Sequence, residues 1–534
     1  MTDVIIVGSG PGGVNAAAAL VEAGRNVLLI DYGNEDRRYA PLIPHQPFSE
    51  LRRADRRQHR YFLGDEFEGI PFGPVRVGAQ LTPPRVHILA DAAERTPVDS
   101  GDFSVSMSLA RGGLGAGWSA GVFPFSDDEL RDIGLTVEDL RPHYDAVAER
   151  IGVAGELDDL EALLPSSPSM MPALDIDSNA EVVLARYQRK RDALNAAGFF
   201  LGRTRLAVCT REHRSRGPHA YLDMAYWADM DRSIYRPQWT LDELRRAPNF
   251  TYLDRRFVQR FTEDGGRVQI HAEHADSGVE ESHEAAALVL AAGTLGTAWI
   301  VLRSLGCYDT PVPILCNPYA YVPTLNTGML GRTARDRRCS LAQLTALVRV
   351  PGGGGRLVQA QLFSYRSLLT FKLMKELPLA YRQSLRILRL LIPTFAILGI
   401  HHEDRPAPGK SCCLRRGKLG GADRLEITYR QTVEETRANQ ADERTVIRFF
   451  RRLGCLPLKT VRPGHGASLH YAGTFPVTSR DEKLTCDAES RLRGTEAVYV
   501  ADGSVFPWIP PKGLTFNLMA NADRVGTLLA ERVR

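Results

Sequence analysis

The sequence predicts an α/β protein: a doubly wound domain of Rossmann type, built from separated segments, with an α+β domain inserted into it. Three observations carry this. A short apolar, β-branched run at residues 3–7 leads straight into a glycine-rich turn and an alanine-rich helix. Two further short apolar runs, 287–290 and 497–500, end in small residues, the pattern of strands buried in a parallel sheet. Between them lies 310–460, which has a different character, with a glycine run at 352–355 and a stretch rich in Leu and Arg.

The elements follow in order. The run 3–7 reads as a strand, Val14 to Ala23 as a helix stopped by Gly24, and 26–30 as a second strand ending at Asp31, which completes a βαβ unit. From 32 to 104 no long periodic element is visible, and 110–118 forms a second glycine-rich loop. Ser126 with Glu129, and Thr136 with Asp139, match capping boxes and predict two helix starts. Residues 180–198 have helical periodicity. A strand at 250–253 precedes a hairpin, 256–261 and 268–272, that turns at Gly265-Gly266. The strand 287–290 leads through Ala291-Ala292-Gly293 into a helix, and a final helix runs from about Leu514 to the end. The division that follows is a dinucleotide-binding domain over 1–310 with interspersed substrate-domain and loop segments. A substrate-binding domain, mainly 311–460, comes next, and 461–534 returns to the first domain.

At 534 residues the chain holds two or three units of roughly 100–200 residues each. Its 44% hydrophobic and 24% charged residues are those of an ordinary globular enzyme. The net charge of +4 is too slight to argue for nucleic acid. Eight scattered cysteines without a CxxC pair, and a strand that begins directly after Met1-Thr2-Asp3, make a reduced, cytoplasmic protein the expectation. No metal site is expected.

Gly8-x-Gly10-x-x-Gly13 sits between a strand and a helix, the context that gives this pattern weight. Gly8 allows the tight turn, Gly10 lets the backbone approach a pyrophosphate, and Gly13 lets helix and strand pack closely. The helix N-terminus offers free amides and a favourable dipole to the phosphates. Asp31 stands where a carboxylate accepts hydrogen bonds from a ribose hydroxyl. The motif alone leaves FAD and NAD open and disfavours NADP.

Two C-terminal stretches add to this: His470-x-x-Gly473-Thr474, and Tyr499 to Pro507 with Asp502-Gly503 at its centre. With Gly112-Gly113 and Trp118, Pro142-His143-Tyr144, and Ala291-Ala292-Gly293-Thr294, they resemble the glucose–methanol–choline (GMC) oxidoreductases, nearest to the pyranose-oxidase-like branch. The resemblance implies a flavoenzyme oxidising an alcohol. Gly8, Gly10, Gly13 and Asp31 would surround the ADP half of FAD, with the Val258 backbone near the adenine. Gly112, Gly113, Ala292, Gly293, Asp502, Gly503 and Thr515 complete the implied cofactor site. His470 is implied as the base, taking the hydroxyl proton while hydride passes to flavin N5; an imidazole suits that task at neutral pH. His465 is the rival base.

Two positions depart from the family pattern. Where an Asn or His usually pairs with the base, this chain has Pro511, so the second catalytic partner is missing or supplied elsewhere. Lys512 is a candidate to stabilise an alkoxide or reduced flavin, with a solvated loop lysine as the alternative; Asn517 is a weaker candidate. Gly117 stands where the similar branch carries a flavin-linking His, so FAD is expected to be non-covalent. The implied substrate is a sugar, cyclitol or other polyhydroxylated small molecule, with oxygen or another acceptor reoxidising the flavin.

Leu368–Ile400 carries Arg382, Arg386 and Arg389 at helical spacing beside Leu385, Leu388 and Ile392. A core helix followed by a buried strand from Thr394 to Ile400 is favoured over a helix lying on a membrane or over a lipid-bearing substrate. Pro393 and Arg389 rule out a span. Three rival functions stay open: non-alcohol chemistry on the same fold (lyase, decarboxylase or C–C dehydrogenation), an NAD-linked dehydrogenase, and a flavin-containing binding protein.

Overall fold

The computed structural model describes residues 2–69, 82–332, 339–350, 356–364, 380, 382–383, 386–387, 391–417 and 422–533. The glycine run 352–355 lies outside them, as does most of the Leu/Arg stretch, including Leu385, Leu388 and Arg389.

Val4–Val7 (β1) is buried at every residue and pairs in parallel with Val27–Ile30 (β2) on one side and Ala287–Leu290 on the other. Across the sheet the order is Val498–Val500, Ala287–Leu290, β1, β2 and Phe250–Leu253, all parallel. Side chains alternate across a strand, so each strand feeds two cores. Val4, Ile6, Val27, Leu29 and Val289 pack against the helix Pro11–Glu22 (α1) and the last helix, Thr515–Arg532. Ile5, Val7, Leu28, Ile30 and Leu290 face the other way. They meet the helix Thr294–Ser304 and a three-stranded antiparallel sheet, Arg256–Asp264, Arg267–His274 and Glu280–Ala285. The expected hairpin is the first two of these strands, and Gly265 and Gly266 turn it with φ of +56° and +75°.

The second large sheet is antiparallel throughout. Its order is Cys455–Pro457, Tyr319–Asn326, Phe395–His401, Leu357–Phe363, Ala342–Arg349 and Phe199–Arg203. It recruits Phe199–Arg203 from outside 311–460. The even-numbered residues Ala320, Val322, Ala360, Leu362, Leu398 and Ile400 pack against the helices Ser178–Gln188 and Val433–Arg452. Residues one step away, Tyr319, Tyr321, Gln361, Phe363 and His401, look into a cavity instead. This sheet is therefore a wall with a packed back and an open front.

Several local expectations meet their structural form here. Both capping boxes are present, at Ser126 and Thr136. α1 begins at Pro11 rather than Val14, because proline fits a helix's first turn, where its missing N–H is not needed. The helix expected over 180–198 is two, Ser178–Gln188 and Arg191–Ala196. The strand expected from Thr394 is Phe395–His401. Among the described residues no helix is long and apolar enough to cross a membrane.

Candidate active site

The site begins where β1 gives way to α1. A Cβ on Gly13 would lie 1.8 Å from the Gly8 carbonyl oxygen, so this position is glycine for the protein's own packing. Gly10 is different. A Cβ there would meet nothing nearer than 4.0 Å, and the space in front of it is the cavity. No side chain caps α1, which leaves its first-turn amides facing the same space.

Asp31, one residue past β2, is buried, and the hydroxyls of Ser9 and Tyr252 both donate to its Oδ2, Tyr252 at 3.2 Å. Burial pushes its carboxyl up to about 6, against the pull of those two hydroxyls. Ser9 Oγ also accepts from the Gly112 amide at 2.9 Å, which ties the second glycine loop to the first. Asp502 accepts from Thr297 Oγ1 at 2.6 Å and from the Ser504 amide at 2.9 Å, and burial raises its pKa too.

His470 stands between Leu469, strained at φ +63°, and the short strand Tyr471–Ala472. That strand pairs antiparallel with Leu315–Cys316, Cys316 opposite Tyr471, so the next residues along, Asn317 and His470, come side by side. His470 Nδ1 lies 3.1 Å from Asn317 Oδ1, and the ring stacks on His401 at 5.6 Å and 20°. The surface His470 retains is cavity wall. Burial pushes its pKa down to about 4 and drives that of His401 well below the ordinary range, so both rings are neutral at pH 7.

Gly8, Gly10, Asp31, Gly113, Val258, Ala292, Gly293, Asp502, Gly503, Thr515 and His470 all line this one cavity. Gly13 and Gly112 do not line it. Lys512 requires a correction. Its side chain has no exposed surface and its Nζ lies 2.7 Å from Glu129 Oε2. Glu129 also accepts from the Ser126 amide and hydroxyl. Lys512 is thus neither a solvated loop lysine nor a lining residue able to meet an alkoxide; it neutralises a buried carboxylate. Asn517 bridges Tyr144, the Phe125 amide and the Phe123 carbonyl, a structural task. His465 does not line the cavity and packs against Tyr429.

Asn317, His401 and the wall of Tyr319, Tyr321, Gln361 and Phe363 escaped sequence reasoning. They fall in the stretch that matched no motif. The alternation Tyr319-Ala320-Tyr321-Val322 was the available signal that one face of a strand is unlike the other.

Residues 425–522 match the family described as GMC oxidoreductase, and residues 3–39 match the FAD binding domain. The chain thus carries a GMC oxidoreductase C-terminal domain and an FAD-binding segment, and it is an FAD oxidoreductase. No curated protein matches its sequence. Among the solved structures that share its fold are two oxidoreductases. Pyridoxine 4-oxidase from Mesorbium loti is 14% identical, with 99% of each chain covered and a TM-score of 0.59. An FAD-dependent oxidoreductase from Chaetomium thermophilum, in complex with a fragment, is 15% identical over 100% of this chain and 99% of the other, with a TM-score of 0.58.

The residues present fit FAD. The open space before Gly10 and the uncapped α1 suit a pyrophosphate. Asp31 keeps Oδ1 free of any side-chain hydrogen bond, which suits a ribose hydroxyl.

Proposed function

We propose that this oxidoreductase dehydrogenates the CH–OH group of a small alcohol carried on a ring, with His470 as the base. The observation behind this reading is one cavity lined both by the glycine loops and by a neutral imidazole. Oxidising an alcohol removes a proton from oxygen and a hydride from carbon. FAD, when bound, supplies the hydride acceptor. His470 receives the proton, and an acceptor nitrogen held neutral at pH 7 is what that step requires.

The substrate wall argues for the ring. Tyr319, Tyr321 and Phe363 stand beside one amide, Gln361. Such a surface buries a flat apolar body and orients it with few polar contacts. A sugar or cyclitol, with a hydroxyl on nearly every carbon, would leave several unpaired there. The neighbour named pyridoxine 4-oxidase suits this class, and its name makes oxygen the first acceptor to try. Gly117 offers no side chain for attachment, so FAD is held without a covalent bond and leaves on acid precipitation.

The test is anaerobic addition of heteroaromatic, benzylic and sugar alcohols to the purified yellow protein. Bleaching of the flavin by a ring alcohol, lost in His470→Ala while flavin content stays, is the expected result. Bleaching by sugars alone would overturn the substrate class. A protein that no alcohol bleaches would overturn the alcohol reading and favour the non-alcohol chemistry.

A further inference from the structure

We infer that Asn317 is the positioning residue for His470: it fixes the ring in the tautomer that carries its proton on Nδ1 and leaves Nε2 as the acceptor. The inference rests on His470 being the base.

The Asn317 amide is 2% exposed and has a settled orientation. Its Nδ2 donates to two backbone carbonyls, His402 at 2.7 Å and Pro510 at 3.0 Å. Carbonyl oxygens only accept, so both must face the amide's N–H₂ group, and the side chain cannot be flipped. Oδ1 is therefore the atom turned toward His470, 3.1 Å from Nδ1. An amide oxygen cannot donate either, so Nδ1 must carry a hydrogen. A neutral imidazole has one N–H, and spending it on Asn317 leaves a lone pair on Nε2.

Three elements hold Asn317 in place. The pairing of Leu315–Cys316 with Tyr471–Ala472 sets it beside His470. Its two donor bonds reach the end of the strand Phe395–His401, through the His402 carbonyl, and the segment before the last helix, through Pro510. Asn317 does not line the cavity, so it acts on the reaction only through His470. Pro511, which has no polar side chain, sits next to the carbonyl that Asn317 binds.

The groups facing His470 leave the assignment clear. His401, stacked on it from the strand Phe395–His401, is itself held neutral by burial. Ser468 lies two residues before it and bonds the Cys316 thiol, whose pKa burial pushes up to about 12. The depressed pKa of His470 has burial as its cause and no charged neighbour.

The test uses the flavin-loaded protein with Asn317→Asp, Asn317→Leu and His470→Ala. Long-range ¹H–¹⁵N spectra of ¹⁵N-histidine-labelled protein report each ring's tautomer, and the signal missing in His470→Ala identifies His470. The expected wild-type state is protonated Nδ1, becoming a mixture in Asn317→Leu. Turnover in Asn317→Leu should fall on the order of 100-fold in kcat, the cost of a misplaced reacting group. Asn317→Asp puts a carboxylate against Nδ1–H, favouring the imidazolium, at the loss of the two donor bonds to the His402 and Pro510 carbonyls. It should partly restore turnover and move the acid limb of the kcat/KM profile upward by about one pH unit or more. A residue that only stabilised the fold would lower the melting temperature and leave tautomer and acid limb alone.

An Asn317→Leu protein with the wild-type tautomer and acid limb would overturn the inference. Where the Leu variant fails to fold, an unmoved acid limb in Asn317→Asp does the same. If His470→Ala keeps full activity, the base assignment fails instead, and a protonated Nε2 in the wild-type spectrum would still sink the Asn317 pairing separately.

Discussion

His470 works as a base because of where its ring is buried, and its pH behaviour should show it. A free histidine loses its proton near 6.5, whereas burial pushes His470 down to about 4. The active form is the neutral one, so kcat/KM should hold as pH falls through 6 and drop only as it approaches 4. An acid limb near 6.5 would mean the ring is solvated or is not the base. Stability is a poorer readout of the same group. Between 6.5 and 4 the unfolded chain binds the proton that folded His470 refuses, so this residue removes stability as pH falls. His402 has the opposite sign: burial lowers its pKa, but the nearby carboxylates of Asp442 and Glu443, 3.9 and 3.5 Å away, outweigh that and raise it. Its contribution is present below 6.5 and lost as pH rises through the folded value. Lys512 makes a separate prediction at this scale. Lys512→Met strands the Glu129 carboxylate in a dry site, a change that costs about 3–5 kcal/mol. The melting temperature should drop sharply while turnover per bound flavin stays near wild type; the reverse pattern would restore Lys512 to the chemistry.

Among the elements, the turn from β1 to α1 separates two reasons for being glycine. Gly13→Ala drives a methyl into the Gly8 carbonyl, so the flavin-free protein itself should melt at a lower temperature. Gly10→Ala meets no protein atom nearer than 4.0 Å, an ordinary contact, and its φ of −64° suits any residue. The flavin-free melting temperature should stay unchanged while bound FAD falls. Calorimetry of both apo-proteins, beside the flavin absorbance each retains after reconstitution with FAD, decides it; equal loss of stability in the two would refute the distinction. This turn was legible in the sequence because its signals are local: apolar run, glycines, alanine-rich helix, then Asp31. The capping boxes at Ser126 and Thr136 were legible for the same reason. The wall Tyr319–Asn326 was not, since its meaning depends on strands dozens of residues apart, and Phe199–Arg203 joins that sheet across more than a hundred residues of chain. Asn317 and His401 inherit the problem. Each is an ordinary polar residue until the pairing of Leu315–Cys316 with Tyr471–Ala472, and of Tyr319 with His401, brings it to the base.

At the scale of the whole molecule, the two ends of the chain make one site, and α1 is where they are joined. Its N-terminus opens on the cavity beside Gly10, while its flank lies against the last helix, Thr515–Arg532. They come close at Gly526, where a Cβ would sit 2.5 Å from the Ala16 carbonyl oxygen and 2.9 Å from the Ala19 methyl. Gly526→Val therefore cannot be absorbed by a rotamer change; the helices must separate, at a cost of about 1–3 kcal/mol for overpacking. The effect should travel both ways along them. α1 would tilt the glycine loop at one end, and the last helix begins at Thr515, which lines the same cavity. The expected outcome is a lower melting temperature together with faster FAD release on dilution, measured by the recovery of free-flavin fluorescence. A variant that melts early yet releases FAD at the wild-type rate would show that the helix pair supports the fold without shaping the site. One that does both would tie the last helix to the turn between β1 and α1.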